Sequence, residues 1–292
     1  MALLPKPIPA AIKRFASEII NPVALVGCHT SEMSLDCCEY DIAIVATSQK
    51  YNRPNQVMQV ADRPVELMCI VGPMKNRIID LAHMVVLKDN SELVLSSIAH
   101  DITAEKYKKV LIAEGKKLLI SCLFCQQKMR ETKHPMVAAA WLKIAAYEFV
   151  DGMLALSGNR PMPLHVLEQI RQNDAVMTEE GLDIALGCIG IERSTRPAIA
   201  RSIQALKELK SKDYDRDLVM SKVNHLLDRH MLADCYYYVG RVAAKNLVGR
   251  KELFYSQYPK LIQIALDLSV DVPSLENMQK RLFRETNTGL RG

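Results

Sequence analysis

The texture of the chain changes once, near residue 100, and that change limits what it can fold into. Before it, short β-branched and apolar runs are broken by glycine, proline and asparagine. Val23–Val26 stops at Gly27, Tyr40–Ala46 at a polar stretch, and Pro64–Val71 at Gly72-Pro73. Short apolar runs bounded by turn formers read as buried strands. After residue 100 the apolar residues recur at helical spacing. Tyr107, Val110, Leu111, Leu118, Cys122 and Cys125 line one face of a helix across 104–130. His134-Pro135 opens the next, which runs through Trp141, Ile144 and Phe149 to Leu156, and Ser157-Gly158-Asn159-Arg160-Pro161 ends it. Strands first and helices after predict an α+β chain: a small mixed-sheet head followed by an all-helical C-terminal half.

In more detail, a helix is expected over 8–20, with Ile12, Phe15, Ile19 and Ile20 as its apolar stripe. Strands are expected at 23–26, 40–46, 57–60, 64–71 and 84–87, with a helix over 74–82. Further helices are expected near 163–172, 178–188, 195–210, 214–229, 231–247, 250–268 and 273–286, and the tail from Thr286 reads as disordered. The expected domains are 1–100, an α/β head; 101–175, a helical bundle packed on it; and 176–292, a further helical region.

Hydrophobic residues make up 49% of the 292, enough for a substantial core, while aromatics are only 5% against 14 methionines. Leu, Ile, Ala and Met must therefore do most of the filling. A net charge of +5 suits an anionic ligand without being a nucleic-acid footprint. The start, Met1-Ala2-Leu3-Leu4-Pro5-Lys6-Pro7, lacks a continuous apolar region, and no apolar run is long enough to span a bilayer. Eight cysteines without a leader predict a cytoplasmic protein with reduced thiols. Cys122-Leu-Phe-Cys125 has zinc-type spacing but no second pair to complete it, so buried thiols in a helix are expected.

The chemistry is concentrated in the head. Leu25-Val26-Gly27-Cys28 is followed by ten residues and then Glu39-Tyr40-Asp41-Ile42-Ala43-Ile44-Val45. Glu39 and Asp41 are two apart at a strand start, so both carboxylates take one face. Glu66 is the one acid in Pro64-Val65-Glu66-Leu67-Met68-Cys69-Ile70. An acid there is costly unless something compensates it. Three acids from neighbouring strands would make an oxygen-rich site suited to Mg²⁺. Gly27 allows close backbone approach of a phosphate, and His29, Thr30 and Ser31 offer donors to it.

This arrangement resembles the nucleotidyltransferase superfamily, the polymerase-β-like fold, and within it the minimal and antibiotic-adenylylating groups. That pattern is a strand ending in Gly and then Gly or Ser, about ten residues, an Asp-apolar-Asp pair opening the next strand, and a third acid later. The resemblance implies Glu39, Asp41 and Glu66 as catalytic and metal-binding residues, and Gly27, Cys28 and Ser31 as the nucleotide-binding loop. It implies Mg²⁺ as cofactor and an NTP, ATP first, as substrate. It covers 130–170 residues from the start, including the helix break at 155–161. Cys28, Glu39 and Tyr40 depart from the pattern. An alternative register makes Asp41 the first acid and Ala43 the second, which breaks the pair.

The acceptor is open: a small molecule, a protein side chain or an RNA end. So is an inactive member of the same fold serving as a protein- or RNA-binding module. Two basic stretches invite nucleic acid, Lys106, Lys108, Lys109, Lys116 and Lys117, and Lys280, Arg281, Arg284 and Arg291. The outer face of a helix is commonly charged without a partner. Lys50 and Arg53 follow the acid-bearing strand and are candidates for phosphate contact, and Tyr236-Tyr237-Tyr238 reads as helix core.

Overall fold

A computed structural model describes residues 7–46, 55–71, 77–173, 176–209 and 215–291. Lys50, Arg53, Gly72 and Pro73 lie outside the described residues. The chain divides into two compact units, Met1–Val110 and Leu111–Gly292.

The first unit is built on a five-stranded mixed sheet in the order β3-β4-β2-β1-β5. The strands are β1 (Val23–Val26), β2 (Tyr40–Ala46), β3 (Gln56–Val60), β4 (Arg63–Val71) and β5 (Val85–Lys88). The central strand β2 runs parallel to β4 and antiparallel to β1. Both sheet faces are covered. On one, α1 (Ala10–Glu18) sets Ile12 and Ala16 against Val23, Leu25, Tyr40, Ile42 and Val65. On the other, Val26, Ala43 and Ile70 pack on Leu81 of α2 (Ile78–Leu81), and Ala24 and Val45 on Leu95 of α3 (Val94–Asp101). Two-sided burial explains why β1 and β2 read as continuous apolar runs rather than alternating ones. Leu25 and Ile42 are fully buried, each contributing about 1.5–3 kcal/mol of transfer free energy.

β3 and β4 form a hairpin through Ala61 and Asp62, with φ of 48° and 62°. Two successive positive φ values belong to a type I′ turn, normally signalled by Asn-Gly. That pair is absent here, which is why sequence alone does not announce the hairpin. Nor does it announce α3, whose helix begins after Asp89. Asp89 accepts from the backbone amides of Leu95 and Ser96 at 3.1 and 2.9 Å and so holds the start of that helix.

The second unit is helical. α4 (Ala104–Glu131) enters it, and α5 (Pro135–Leu156) is buried on nearly all sides. Pro135 at its first turn supplies a preset φ where no amide hydrogen bond is lost. Then come α6 (Val166–Arg171), α7 (Glu179–Ile189), α8 (Arg196–Glu208), α9 (Arg216–Asp228), α10 (Leu232–Val248), α11 (Glu252–Gln257), α12 (Pro259–Ala265) and α13 (Val272–Arg291). α5 packs on α7, α10, α12 and α13, so elements from both sides of the expected division at 175 share one core. α4 and α5 cross closely at Gly115 and Gly152, where a Cβ on Gly115 would come 2.8 Å from the Gly152 carbonyl oxygen.

Two expectations are corrected. The single helix expected over 250–268 is two, because Pro259 cannot continue the ladder from α11 and instead starts α12. The tail is not disordered from Thr286: α13 continues to Arg291. Leu275, Gln279, Leu282 and Thr286 form its buried stripe. Gln126 of α4 donates to Thr286 Oγ1 at 3.3 Å and accepts from Gln279 at 3.1 Å. Tertiary packing thus holds a segment whose polar composition argues for fraying.

Candidate functional site

β1 ends at Val26, and Gly27 turns the chain into a short 3-10 turn, Gly27–Thr30. Gly27 has φ +74°, and a Cβ there would lie 1.8 Å from Asp41 Oδ2. Both facts demand glycine. The left-handed conformation penalises a side chain, and the space is taken by a carboxylate. The turn is held from inside: Thr30 Oγ1 donates to the Gly27 carbonyl at 2.8 Å, and Ser31 Oγ to that of Cys28 at 2.8 Å.

The sheet register then brings the acids together. Asp41 pairs with Val26 on one side and with Glu66 on the other. Neighbours across a ladder share a face, so Asp41 and Glu66 project on the side that carries Ala43 and Ile70. Glu39 precedes β2 by one residue and joins them. One carboxylate oxygen from each of Glu39, Asp41 and Glu66 lies within 4.8 Å of the others. All three residues are half-buried. Glu66 also accepts a hydrogen bond from Asn55 Nδ2 at 2.8 Å. Ala43 is fully buried in the core. The Glu39/Asp41 register is therefore the one that assembles three carboxylates.

Three like charges this close repel, and in a partly desolvated position the repulsion grows. A divalent cation answers the arrangement. All three donors are hard oxygens, and Mg²⁺ takes a few carboxylates while keeping room for water and phosphate oxygens. The donor set fits such an ion.

The loop residues have more internal roles than the sequence suggests. His29 is buried, stacks on Tyr40 with ring centroids 3.9 Å apart, and sits 3.1 Å from the Cys38 carbonyl oxygen through Nε2. Tyr40 belongs to the face that packs on α1, so this departure from an aliphatic provides a stacking partner. Ser31 uses its hydroxyl within the turn. The Cys28 thiol is held far above its ordinary range, first by its hydrogen bond with Cys38, then by burial and by the charges of Asp41 and Glu39. It is a neutral thiol beside the acids rather than a nucleophile. Asn55 is the site residue that the sequence did not mark. A lone Asn before an edge strand carries no signal beyond a turn.

Other candidates lie on the helices from α4 onward. Cys122 and Cys125 are buried in α4, and burial pushes both thiols up to about 12. Cys122 Sγ faces Thr286 and Gln126, as packing thiols do. Tyr236, Tyr237 and Tyr238 are all buried in α10. Arg281 pairs with Asp183 and Glu180, and Arg284 with Glu180 and Glu285, which neutralises part of that basic stretch. Lys108, Lys109 and Lys116 are exposed on α4. No helix among the described residues is long and apolar enough to cross a membrane.

Compared with known proteins, the chain matches no family model and no curated protein. Among solved structures it is similar to a nucleotidyltransferase-like protein from Exiguobacterium sibiricum. The likeness covers 93% of this chain and 90% of that one, at 12% identity and a TM-score of 0.35.

Proposed function

We propose that Met1–Val110 carries a nucleotide-transfer site and that the protein moves a nucleoside monophosphate from an NTP, ATP first, to an acceptor hydroxyl. One observation carries this reading: Glu39, Asp41 and Glu66 converge within 4.8 Å beside a glycine turn that cannot bear a side chain. Glu39, Asp41 and Glu66 would hold Mg²⁺, which supplies charge compensation for the phosphates and for the oxygens made and released in an in-line displacement. Gly27, by lacking a side chain, lets Asp41 reach the turn; the triphosphate would lie along the backbone of Gly27 and Cys28, and Ser31 keeps the turn in shape. Asn55 orients Glu66. The acceptor oxygen attacks the α-phosphorus, its proton passes to a base, and pyrophosphate leaves. The acceptor is a small molecule, a protein side chain or an RNA end.

The test is a thermal-shift series with ATP, GTP, CTP and UTP, with and without Mg²⁺, on the wild type and on Asp41→Asn. A ligand at 100-fold its dissociation constant stabilises by about 2.7 kcal/mol. The expected result is a Mg²⁺-dependent shift with at least one nucleotide, lost in Asp41→Asn. No shift with any nucleotide would overturn the reading.

A second reading draws on a specific observation. Thr30 and Ser31 spend their hydroxyls inside the turn, and Cys28 brings a neutral thiol where the resembling family has Gly or Ser. These favour an inactive member of the same fold that binds a protein or RNA partner. In that case Glu39→Gln with Asp41→Asn leaves the biological activity of the protein unchanged.

A further inference from the structure

The second unit holds a lysine in an unusual position. Lys143 lies in the middle of α5 with 2% of its surface exposed. Its Nζ donates to the Tyr236 hydroxyl at 3.1 Å, and that hydroxyl donates to Asp267 Oδ2 at 2.9 Å. Asp267 is in turn held by Arg193, with Nε 3.3 Å from Oδ2, and by Arg201 at 3.6 Å. The carboxylate that would pair with the ammonium is therefore already taken by two guanidinium groups. Burial and the charge of Arg193 lower the Lys143 ammonium to about 7, against smaller opposing effects of Asp267 and Glu192.

Lys143 also lines a cavity of about 220 Å³. The cavity wall includes Glu192, Arg193, Ser269, Asp271 and Ser274. Two carboxylates and two hydroxyls against one guanidinium suit a ligand rich in hydroxyl groups and without negative charge. The volume allows only a small molecule.

We propose that this cavity is a second site, in which Lys143 condenses with a small uncharged polyhydroxy aldehyde or ketone. The Nζ lone pair attacks the carbonyl carbon and a C–N bond forms. The carbonyl oxygen then leaves as water with the two amine hydrogens, and an imine remains. No oxidant or reductant is consumed. The Tyr236 hydroxyl, hydrogen-bonded to Nζ, is the nearest group to relay the proton. Burial and the Arg193 charge favour the neutral amine, which is the nucleophilic form. The charged groups that act on it are Arg193 and Glu192 on the turn after α7 and Asp267 after α12; Asp271, before α13, lines the cavity, Tyr236 comes from α10 and Arg201, through Asp267, from α8.

The test uses the full wild-type chain, so it depends on no variant folding. Glyceraldehyde, and separately glyoxylate as an anionic carbonyl, are incubated with the protein and cyanoborohydride from pH 6 to 8, and adducts are located by peptide mass spectrometry. The expected result is a glyceraldehyde adduct at Lys143 about tenfold above the exposed Lys108 and Lys116, rising through pH 7. Modification of the exposed lysines with Lys143 untouched would overturn the proposal. Equal or better labelling of Lys143 by glyoxylate would overturn the assigned ligand class. The nucleotide-shift experiment reports on the other unit, so the two readings fail separately.

Discussion

The two units treat acidic residues in opposite ways. In the helical unit, Asp151 of α5 is matched by Arg241 of α10 through Nε at 3.2 Å and a second guanidinium contact at 2.5 Å. Glu148 one turn earlier is matched by Lys245 at 2.6 Å. Each buried acid there has a cation built beside it. In the sheet unit, Glu39, Asp41 and Glu66 are aimed at one another. A core neutralises its charges internally, because an uncompensated one costs several kcal/mol. A cluster of like charges is what the proposed Mg²⁺ site would need.

Removing one acid from each unit has the largest expected effect. Asp151→Ala leaves Arg241 buried without its partner and should cost about 3–5 kcal/mol in a denaturant titration. Asp41→Asn, measured in EDTA, should cost nothing and stabilise slightly, since it relieves repulsion. Equal destabilisation by both would mean that the three acids are structural. The next effect compares two glycines with positive φ. Gly27→Ala should cost about 2 kcal/mol or more, because strain adds to a collision with Asp41. Gly158→Ala, at φ +87° with nothing within 4 Å, should cost about 1 kcal/mol. Only the first should also weaken any Mg²⁺-dependent thermal shift.

A further effect is in pH dependence. Lys143 is lowered to about 7 in the folded state, against its ordinary 10.5. Between these values the unfolded chain binds more protons, so stability rises with pH from about 7, by at most roughly 1.4 kcal/mol per pH unit. Buried thiols act in the other direction. Cys122, Cys188 and Cys235 are pushed up to about 12 by burial, so the folded chain holds more protons above their ordinary 9.0, and stability falls there. Lys143→Met should flatten the rise between pH 7 and 8.5 and leave the fall in place. An unchanged rise would show that Lys143 is not the group responsible.

Much of the molecule was legible from local pattern. Val23–Val26, Tyr40–Ala46 and the long helices of the second half carry their period in their own residues, and the α+β organisation followed from the change near residue 100. The pairing of Glu39 with Asp41 was legible too, because residues two apart on a strand share a face. Other features were not. The turn at Ala61-Asp62 lacks its usual residues, α3 is short, and α13 beyond Thr286 depends on Gln126 and Cys122, more than 150 positions away in the chain.

Local pattern fixed β1, β2, β4 and the long helices α4 and α5, and which acid types stand at a strand's opening. It did so because backbone periodicity and glycine or proline punctuation act over a few residues. Folding in three dimensions sets β4 parallel to β2 with Glu66 beside Asp41, leaves no room for a methyl group at Gly27, and places Lys143 at a cavity while Asp267 is held by Arg193. Those outcomes depend on strand register and helix packing, which are set by contacts between residues far apart in the chain.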